Sequence, residues 1–399
     1  MLLAVLRDAP WLTCERIRGY AAILIGFYCL VAVWAFSAPG LRDRFDHPKG
    51  TDFVSFWTVS SALHHGQSEA IYRPEELAAL ERTVTGGGAD FYAWAYPPIA
   101  LLIVYPLALL PYFWSLAFWL TATLALYLGA LWRILPQRLA LGAGLAFPAA
   151  FVTLAHGQNA LLSAGLLGTA LALLQRRPGL AGTLLGVLAF KPQLGVLVPI
   201  ALLCGGHWRA ISAAVLTIGV MCLAALLLFG AGLWADFIAN APFAQAMLEQ
   251  GWVPYYKLQS TYAAVRLLGG SLAVAYAAQA IVTVAAAAVT AWTWQRPVEQ
   301  DVKNAVLVTA GLMATPFVLD YDLTLLALPI AWLAAAQLRG ATLPWERSAL
   351  VAAYAAPLIA RPLAGATSIG VTPVILAALL LALCVRCQAP ARALLSPTV

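Results

Sequence analysis

A carboxylate beside an aromatic helix is the first feature of this chain that suggests chemistry. Asp52 precedes Phe53, Phe56, Trp57 and Leu63, whose spacing predicts a helix with one apolar face. Such a helix would lie at a membrane surface, and Thr51 could cap its start. Asp52 would then be either a carboxylate at the helix start, where the helix dipole stabilises its negative charge, or a general base that faces a lipid-bound substrate.

A lysine inside an apolar stretch is the second such feature. Lys191-Pro192-Gln193 interrupts the segment 179–204, which has Arg176 and Arg177 before it and Arg209 after it. Basic residues at both ends place both ends on the inner side, so Lys191 should be the tip of a hairpin near the outer surface. An ionisable group there usually has a function, and an anionic phosphate is its natural partner. The alternative is a lysine that only extends to the interface.

Further polar or aromatic side chains are expected on the same outer side. Tyr96 is followed by two prolines, which indicates irregular backbone that lines a cavity. The other candidates are His156, Gln158 and Asn159 in a predicted turn, Trp252 in an aromatic run, and the pair Asp320 and Asp322. The turn and the aromatic run are also explained by a plain turn and an interfacial belt. The two aspartates form either a second carboxylate site or a weak metal pair.

The composition defines the elements that must position these residues. Of the 399 residues, 62% are hydrophobic and only 10% are charged, and the mean hydropathy is +0.84. A soluble domain has about 25% charged residues. The composition therefore excludes a cytosolic enzyme, a disordered protein and, despite the net charge of +6, a nucleic-acid-binding protein. It predicts one all-α, polytopic membrane domain over 1–399 with about 12 transmembrane helices.

The distribution of Lys and Arg predicts the orientation of the chain. The tails 1–18 and 387–399 should be cytoplasmic, and the first span should be retained as a membrane helix. The large outer loops should be 42–95, with two interfacial helices, and 231–258. The second helix of the first loop should run from Pro74 to about Thr85. The proline-bounded segment 97–110 should be re-entrant or lie against the outer face.

The ordered set of motifs resembles glycosyltransferase family 87 of the GT-C superfamily. The resemblance covers about residues 20–340. Its motifs are Thr51-Asp52-Phe53, Gly66, Tyr72, Tyr96-Pro97-Pro98, Pro106-Leu-Ala-Leu-Leu-Pro111, Gly157-Gln158-Asn159, and Ala181-Gly182…Gly186…Lys191-Pro192-Gln193.

The resemblance implies a GT-C-like bundle that transfers a hexose, usually mannose, from a polyprenyl-phosphate donor. The acceptor would be a glycan or glycolipid at the outer face of the plasma membrane, and inversion would give an α-linked product. By the same resemblance Asp52 is the catalytic base and neither a metal nor another cofactor is needed. Positive charge is required at the leaving phosphate, for which Lys191 and Arg266 are the candidates. Tyr96, His156, Gln158, Asn159, Trp252, Asp320 and Asp322 are candidates for sugar or acceptor contacts. The rival interpretation is a transporter or flippase of polyprenyl lipids or sugars.

Overall fold

The protein is helical throughout the residues that its computed structural model describes, which are 2–88 and 91–389. The helices are α1 (Leu2–Asp8), α2 (Cys14–Phe36), α3 (Phe53–His64), α4 (Pro74–Thr85), α5 (Leu101–Val104), α6 (Tyr112–Ile134), α7 (Arg138–Leu145), α8 (Pro148–His156), α9 (Ala160–Leu173) and α10 (Pro178–Val187). They continue as α11 (Val198–Cys204), α12 (Trp208–Ala239), α13 (Ala241–Glu249), α14 (Thr261–Leu267), α15 (Leu272–Trp294), α16 (Gln300–Met313), α17 (Ala327–Arg339), α18 (Glu346–Thr367) and α19 (Thr372–Gln388). Short 3-10 turns connect several of them. The predicted all-α fold is confirmed.

Six helical segments of the described chain are long and apolar enough to cross a membrane. They are Cys14–Phe36, Tyr112–Ile134, Trp208–Glu249, Leu272–Trp294, Asp320–Arg339 and Glu346–Thr367. The pair α7 and α8, bent by 53°, would make a seventh, and several shorter apolar helices accompany them. The chain is therefore a polytopic helical membrane protein. Twelve crossings, the sidedness of the loops and the cytoplasmic tails remain predictions, and residues 390–399 of the second tail lie outside the described residues.

The first large loop folds into a compact helical layer. Its second helix, α4, begins and ends where the sequence indicated, with Pro74 in the first turn and Gly86 in the left-handed conformation after the last. Its first helix, α3, is buried on nearly all sides, including Ser55, Thr58 and Ser60. The predicted one-sided apolar face is therefore wrong, because neighbouring protein segments also cover the small polar residues of this helix.

The proline-bounded segment 97–110 is the main cover of α3. It consists of α5 and two 3-10 turns, Pro98–Ala100 and Tyr105–Leu109, and its irregular backbone is satisfied by side chains of α3. The Ser60 hydroxyl donates to the carbonyl of Tyr105 at 2.7 Å and accepts from the N–H of Ala108 at 2.9 Å. Trp57 donates its indole N–H to the carbonyl of Leu110 at 3.1 Å. These bonds explain how broken backbone persists in an apolar setting.

The predicted loop 231–258 is largely helical. α12 continues to Ala239 across a break at Gly230, whose φ of 82° is outside helical geometry, and α13 follows directly. Only residues 250–258 form an irregular connection, apart from a 3-10 turn at Tyr255–Lys257. Asp236 and Glu249, two acids of this predicted loop, thus lie on helices, and the position of the segment on the outer side stays a prediction.

Two glycines explain why α10 can lie directly against α12. A Cβ added at Gly182 would lie 2.1 Å from the carbonyl oxygen of Ala210, and one at Gly186 would lie 2.6 Å from Cβ of Thr217. The spacing Gly-x-x-x-Gly places both on one face of the helix, which allows close backbone approach in membrane proteins. This contact fixes α10, the helix that precedes Lys191, against α12.

Candidate active site

The loop before α3 and the turn after α8 join to hold Asp52. The backbone N–H of Asp52 donates to the carbonyl of His156 at 3.0 Å. The Thr51 hydroxyl and Nδ1 of His156 are 2.6 Å apart and share a hydrogen bond. Thr51 therefore does not cap α3 as predicted, since its side chain bonds to the turn. Asp52 itself occupies the position before the first helical residue, and its side chain caps no backbone group.

Gly157 makes this approach of the two segments possible. Its φ of +66° lies in the left-handed region, and a Cβ there would lie 2.6 Å from Cβ of Phe53. Trp119 of α6 donates its indole N–H to the Gly157 carbonyl at 3.0 Å, which fixes the turn from behind. The Gly157 motif thus has a physical reason: a side chain at this position would push Asp52 away from the turn.

The surroundings of Asp52 raise the pKa of its carboxyl above that of an exposed aspartate. Burial raises the pKa of Asp52, while the charge of His156, a hydrogen bond from Gln158 and the charge of Lys257 oppose that rise. Asp320 adds to the rise through like-charge repulsion. The side chain is only half-buried, so it remains open to a substrate. A carboxyl of this kind is suited to proton transfer.

Lys191 is part of a buried ion pair beside Asp52. Its ammonium lies 2.5 Å from Oδ1 of Asp322 and donates to Oδ1 of Asn159 at 3.1 Å. Asp322 also accepts from the N–H of Leu319 through Oδ2 at 3.1 Å. Lys191 is only 2% exposed, and the charge of Asp52 acts on it. The structure therefore joins two predicted site residues, Lys191 and Asp322, into one neutral unit.

Tyr96 and Gln158 connect this unit to Asp52. The Tyr96 hydroxyl donates to Oε1 of Gln158 at 3.4 Å, and the same oxygen accepts from the N–H of Asn159 at 2.8 Å. The amide group of Gln158 then remains to bond Asp52. Tyr96 is positioned by Tyr72, whose hydroxyl donates to the Tyr96 carbonyl at 2.9 Å. Tyr72, Tyr96, Gln158 and Asn159 all belong to the sequence motifs, and they thus form one hydrogen-bond network.

Asp320 lies in a second ion pair at the same site. Its Oδ2 is 2.7 Å from Nη1 of Arg361 on α18, and Oδ1 accepts the N–H of Tyr321 at 2.9 Å. Both predicted aspartates are therefore neutralised by cations. In the part of the chain that the structure describes, no group of three His, Cys, Asp or Glu side chains is placed to hold a metal ion.

Lys257 and Arg361 are site residues that the sequence did not single out. Leu258 and Leu319 form an antiparallel bridge, and Gln259 donates its N–H to the Val318 carbonyl at 2.7 Å, so Lys257 is brought beside the segment that carries Asp320. A signal for Arg361 was available, because it interrupts an apolar helix just as Lys191 interrupts an apolar hairpin.

Two predicted site residues lie in other surroundings. Arg266 donates to the hydroxyl of Tyr255 at 3.2 Å and to the carbonyl of Gly270 at 2.7 Å, beside a small second hydrophobic cluster. Trp252 packs its ring on Phe243 with centroids 5.5 Å apart and lines an open groove of about 640 Å³ together with residues of α4. The roles proposed for both residues remain predictions.

Comparison with protein families decides what kind of protein this is. The sequence profile described as Glycosyltransferase family 87 matches residues 94–319, more than half of the chain. The chain belongs to glycosyltransferase family 87. This family 87 protein is accordingly a membrane glycosyltransferase, and the predicted family is confirmed. Comparisons with curated proteins and with solved structures gave no match.

Some site residues of this family 87 glycosyltransferase lie inside the matched range, and others lie outside it. Tyr96, the 156–159 turn and Lys191 lie inside the match, and it ends at Leu319, directly before Asp320. Asp52 precedes the match by a wide margin. The turn at 156–159, which belongs to the matched part, nevertheless holds Asp52 through backbone and side-chain bonds. The candidate base is thus attached to the family's own framework.

Proposed function

We propose that the protein transfers a hexose, most simply mannose, from a polyprenyl-phosphate-sugar to a glycan or glycolipid at the outer face of the plasma membrane. The observation that carries this proposal is the half-buried Asp52, desolvated and bonded to the Gln158 amide, within a polar network inside an apolar helical protein. A carboxylate at the edge of a membrane domain is suited to a reaction between two lipid-linked substrates. We also propose that its helices form a bundle of the GT-C type.

The reaction is a single displacement at C1 of the sugar. The acceptor hydroxyl oxygen attacks C1, Asp52 takes the proton of that hydroxyl, and the bond between C1 and the phosphate oxygen breaks. Attack from the face opposite the phosphate inverts the configuration, so a β-linked donor gives an α-linked product. The leaving group is a lipid phosphate, which is already a stable anion and needs no general acid. Charge that accumulates on it must be stabilised by cations.

The polar network positions the sugar in this proposal. Tyr96, His156 and Gln158 line the approach to Asp52, and their hydroxyl, imidazole and amide groups suit the hydroxyls of a hexose. Asn159 and Lys191 lie behind them and are held by Asp322. Asp320 is held by Arg361 at the opposite edge of the network. Trp252 and its groove offer a surface for a further sugar of the acceptor.

The proposal is tested with purified protein, radiolabelled polyprenyl-phosphate-mannose and a mixed glycolipid extract. We expect label to move to a glycolipid, and Asp52→Asn to slow the transfer roughly 10²–10⁴-fold. Asp46→Asn is the matched control, because Asp46 is an exposed acid of the same loop and is paired with Arg42. Movement of the labelled lipid across vesicles without transfer to any acceptor would support the transporter instead and would overturn the proposal. Donors that carry other sugars identify the hexose.

A further inference from the structure

Among the residues that the structure describes, the site holds one cation that forms no ion pair with a neighbour. Lys191 is paired with Asp322 and Arg361 with Asp320, whereas the ammonium of Lys257 makes no ion pair or hydrogen bond with any residue that the structure describes. Lys257 is half-buried, and its charge acts on Asp52. An ammonium that is half-buried without a partner loses part of its solvation free energy, and a bound anion can offset that loss.

Two independent connections bring the segment that carries Lys257 together with the segments around Arg361. The bridge between Leu258 and Leu319 brings Lys257 beside Asp320, which Arg361 binds at 2.7 Å. The turn that carries Lys257 also packs on α18, where a Cβ at Gly365, one turn beyond Arg361, would lie 4.0 Å from Cγ of Tyr256. Arg361 uses one nitrogen for Asp320, so the rest of its planar donor group remains for a further acceptor.

We infer that Lys257, with Arg361 beside it, binds the phosphate of the lipid donor and receives the lipid phosphate that the reaction releases. This inference rests on the proposed function and assigns its phosphate site. It also gives Lys191 a different role from the one that its sequence indicated. Because Asp322 already neutralises Lys191, that lysine positions Asn159 and contributes no free charge.

The charge balance of the reaction favours an unpaired cation at this place. The donor is a phosphodiester with one negative charge, and the departing lipid phosphate is a monoester with roughly −1.5 to −2 charge at neutral pH. The site must therefore accept additional negative charge as the bond from C1 to oxygen breaks. Two closed ion pairs would not provide for it, whereas Lys257 does. Its charge also acts on Asp52, so Lys257 belongs to the electrostatic surroundings of the candidate base.

The test measures binding of a short-chain polyprenyl phosphate, without sugar, to the purified full-length protein. We expect Lys257→Gln to weaken binding roughly 10- to 100-fold, the effect of losing one charge-assisted hydrogen bond. Lys257→Arg should restore most of the affinity. Arg73→Gln is the control for loss of one outer-loop positive charge, because Arg73 is exposed and paired with Glu69 and Glu76. It should bind as the unmodified protein does.

Two further arms keep the result interpretable. The corresponding polyprenol, which lacks phosphate, should bind the Lys257→Gln variant and the unmodified protein equally, and a parallel loss for the alcohol would overturn the inference. So would unchanged phosphate binding by Lys257→Gln. Asp52→Asn should not weaken binding of the lipid phosphate, because it removes a negative charge whose field reaches Lys257. If Asp52→Asn also retains transfer, the proposed base is wrong, but the phosphate site is judged by the binding data alone.

Discussion

The backbone N–H of Asp52 donates to the carbonyl of His156 at 3.0 Å, across 104 residues of sequence. This bond joins the start of α3, which lies outside the matched family range, to a turn within that range. The candidate base is consequently fixed to the turn that follows α8. Rigid placement of the reacting group is what lets an enzyme hold two substrates in reacting geometry.

The pH dependence of transfer should report the surroundings of Asp52. A base works in its deprotonated form, and burial raises the pKa of Asp52, so activity should fall with decreasing pH at a higher pH than an exposed aspartate gives. We expect an acid-side midpoint of kcat/KM above ~4, the ordinary aspartate value. Asp52→Asn should lower the rate by roughly 10²–10⁴-fold, and its residual activity should lack this limb. An acid limb with an ordinary midpoint would contradict the assignment.

The pair Lys191 and Asp322 should behave as one unit in stability measurements. Lys191→Met alone leaves an uncompensated carboxylate and should destabilise the protein by about 3–5 kcal/mol. Asp322→Asn in addition should recover much of that loss, because no buried charge then remains. Thermal unfolding of both single variants and the double variant in detergent measures the coupling. Simple additivity of the two effects would show that the two side chains are not paired in the membrane-like environment.

Gly157→Ala should displace Asp52 as well as strain the turn. Left-handed backbone costs an alanine about 1–2 kcal/mol, and the added Cβ would also lie 2.6 Å from Cβ of Phe53. Gly66→Ala is the matched control, since Gly66 has a φ of +70° and open space around its Cβ position. Both variants should unfold at lower temperature, but Gly157→Ala should lose transfer activity as well. Equal activities of the two variants would argue against the turn as the support of the base.

Glu81 should make stability depend on pH. This buried residue of α4 accepts the N–H of Tyr92 at 3.0 Å, and burial raises the pKa of its carboxyl to about 8. Between the ordinary carboxyl range and pH 8 the unfolded chain is ionised there and the folded protein is protonated. The free energy of unfolding should therefore decrease as pH rises through this window, by up to about 1.4 kcal/mol per unit.

Glu81→Gln checks this dependence, because glutamine cannot ionise but can still accept the bond from Tyr92. The unfolding temperature is measured from roughly pH 5 to pH 9, which covers the window in which Glu81 ionises differently in the two states. It should depend less on pH for the variant. The variant should also be the more stable protein at the alkaline end. The same slope in both proteins would mean that another group causes it.

Gly182→Ala should loosen the packing of α10, the helix that precedes Lys191, against α12. The new methyl group would lie 2.1 Å from the Ala210 carbonyl, so α10 must move away from α12 at a cost of about 1–3 kcal/mol. Gly179→Ala is the control on the same helix, since nothing lies within 4 Å of its Cβ position. It should be neutral or slightly stabilising because alanine favours the helix. A neutral Gly182→Ala would show that the two helices lie farther apart in the bilayer.

Composition and local motifs determined the helical membrane class, the family and several individual elements. The scarcity of charge requires apolar helices, and Pro74 with its following acids marks the start of α4. Lys191 lies between the 3-10 turns Leu188–Phe190 and Pro192–Gly195, whereas the hairpin that its flanking basic residues indicated stays a prediction. These features depend on residues that are close together in the chain, so they can be recognised without knowing which segments pack against one another.

The pairing of the polar groups was decided only by the tertiary structure. Lys191 meets Asp322 across 131 residues, and Thr51 meets His156 across 105. Nearly every face of these helices is apolar, so hydrophobic periodicity does not reveal which face points inward or which helix packs against it. Each charged group in an apolar interior must find a partner, but only packing selects which one. For that reason Lys191 looked free in the sequence, whereas in the described part of the chain the site cation without an ion-pair partner is Lys257.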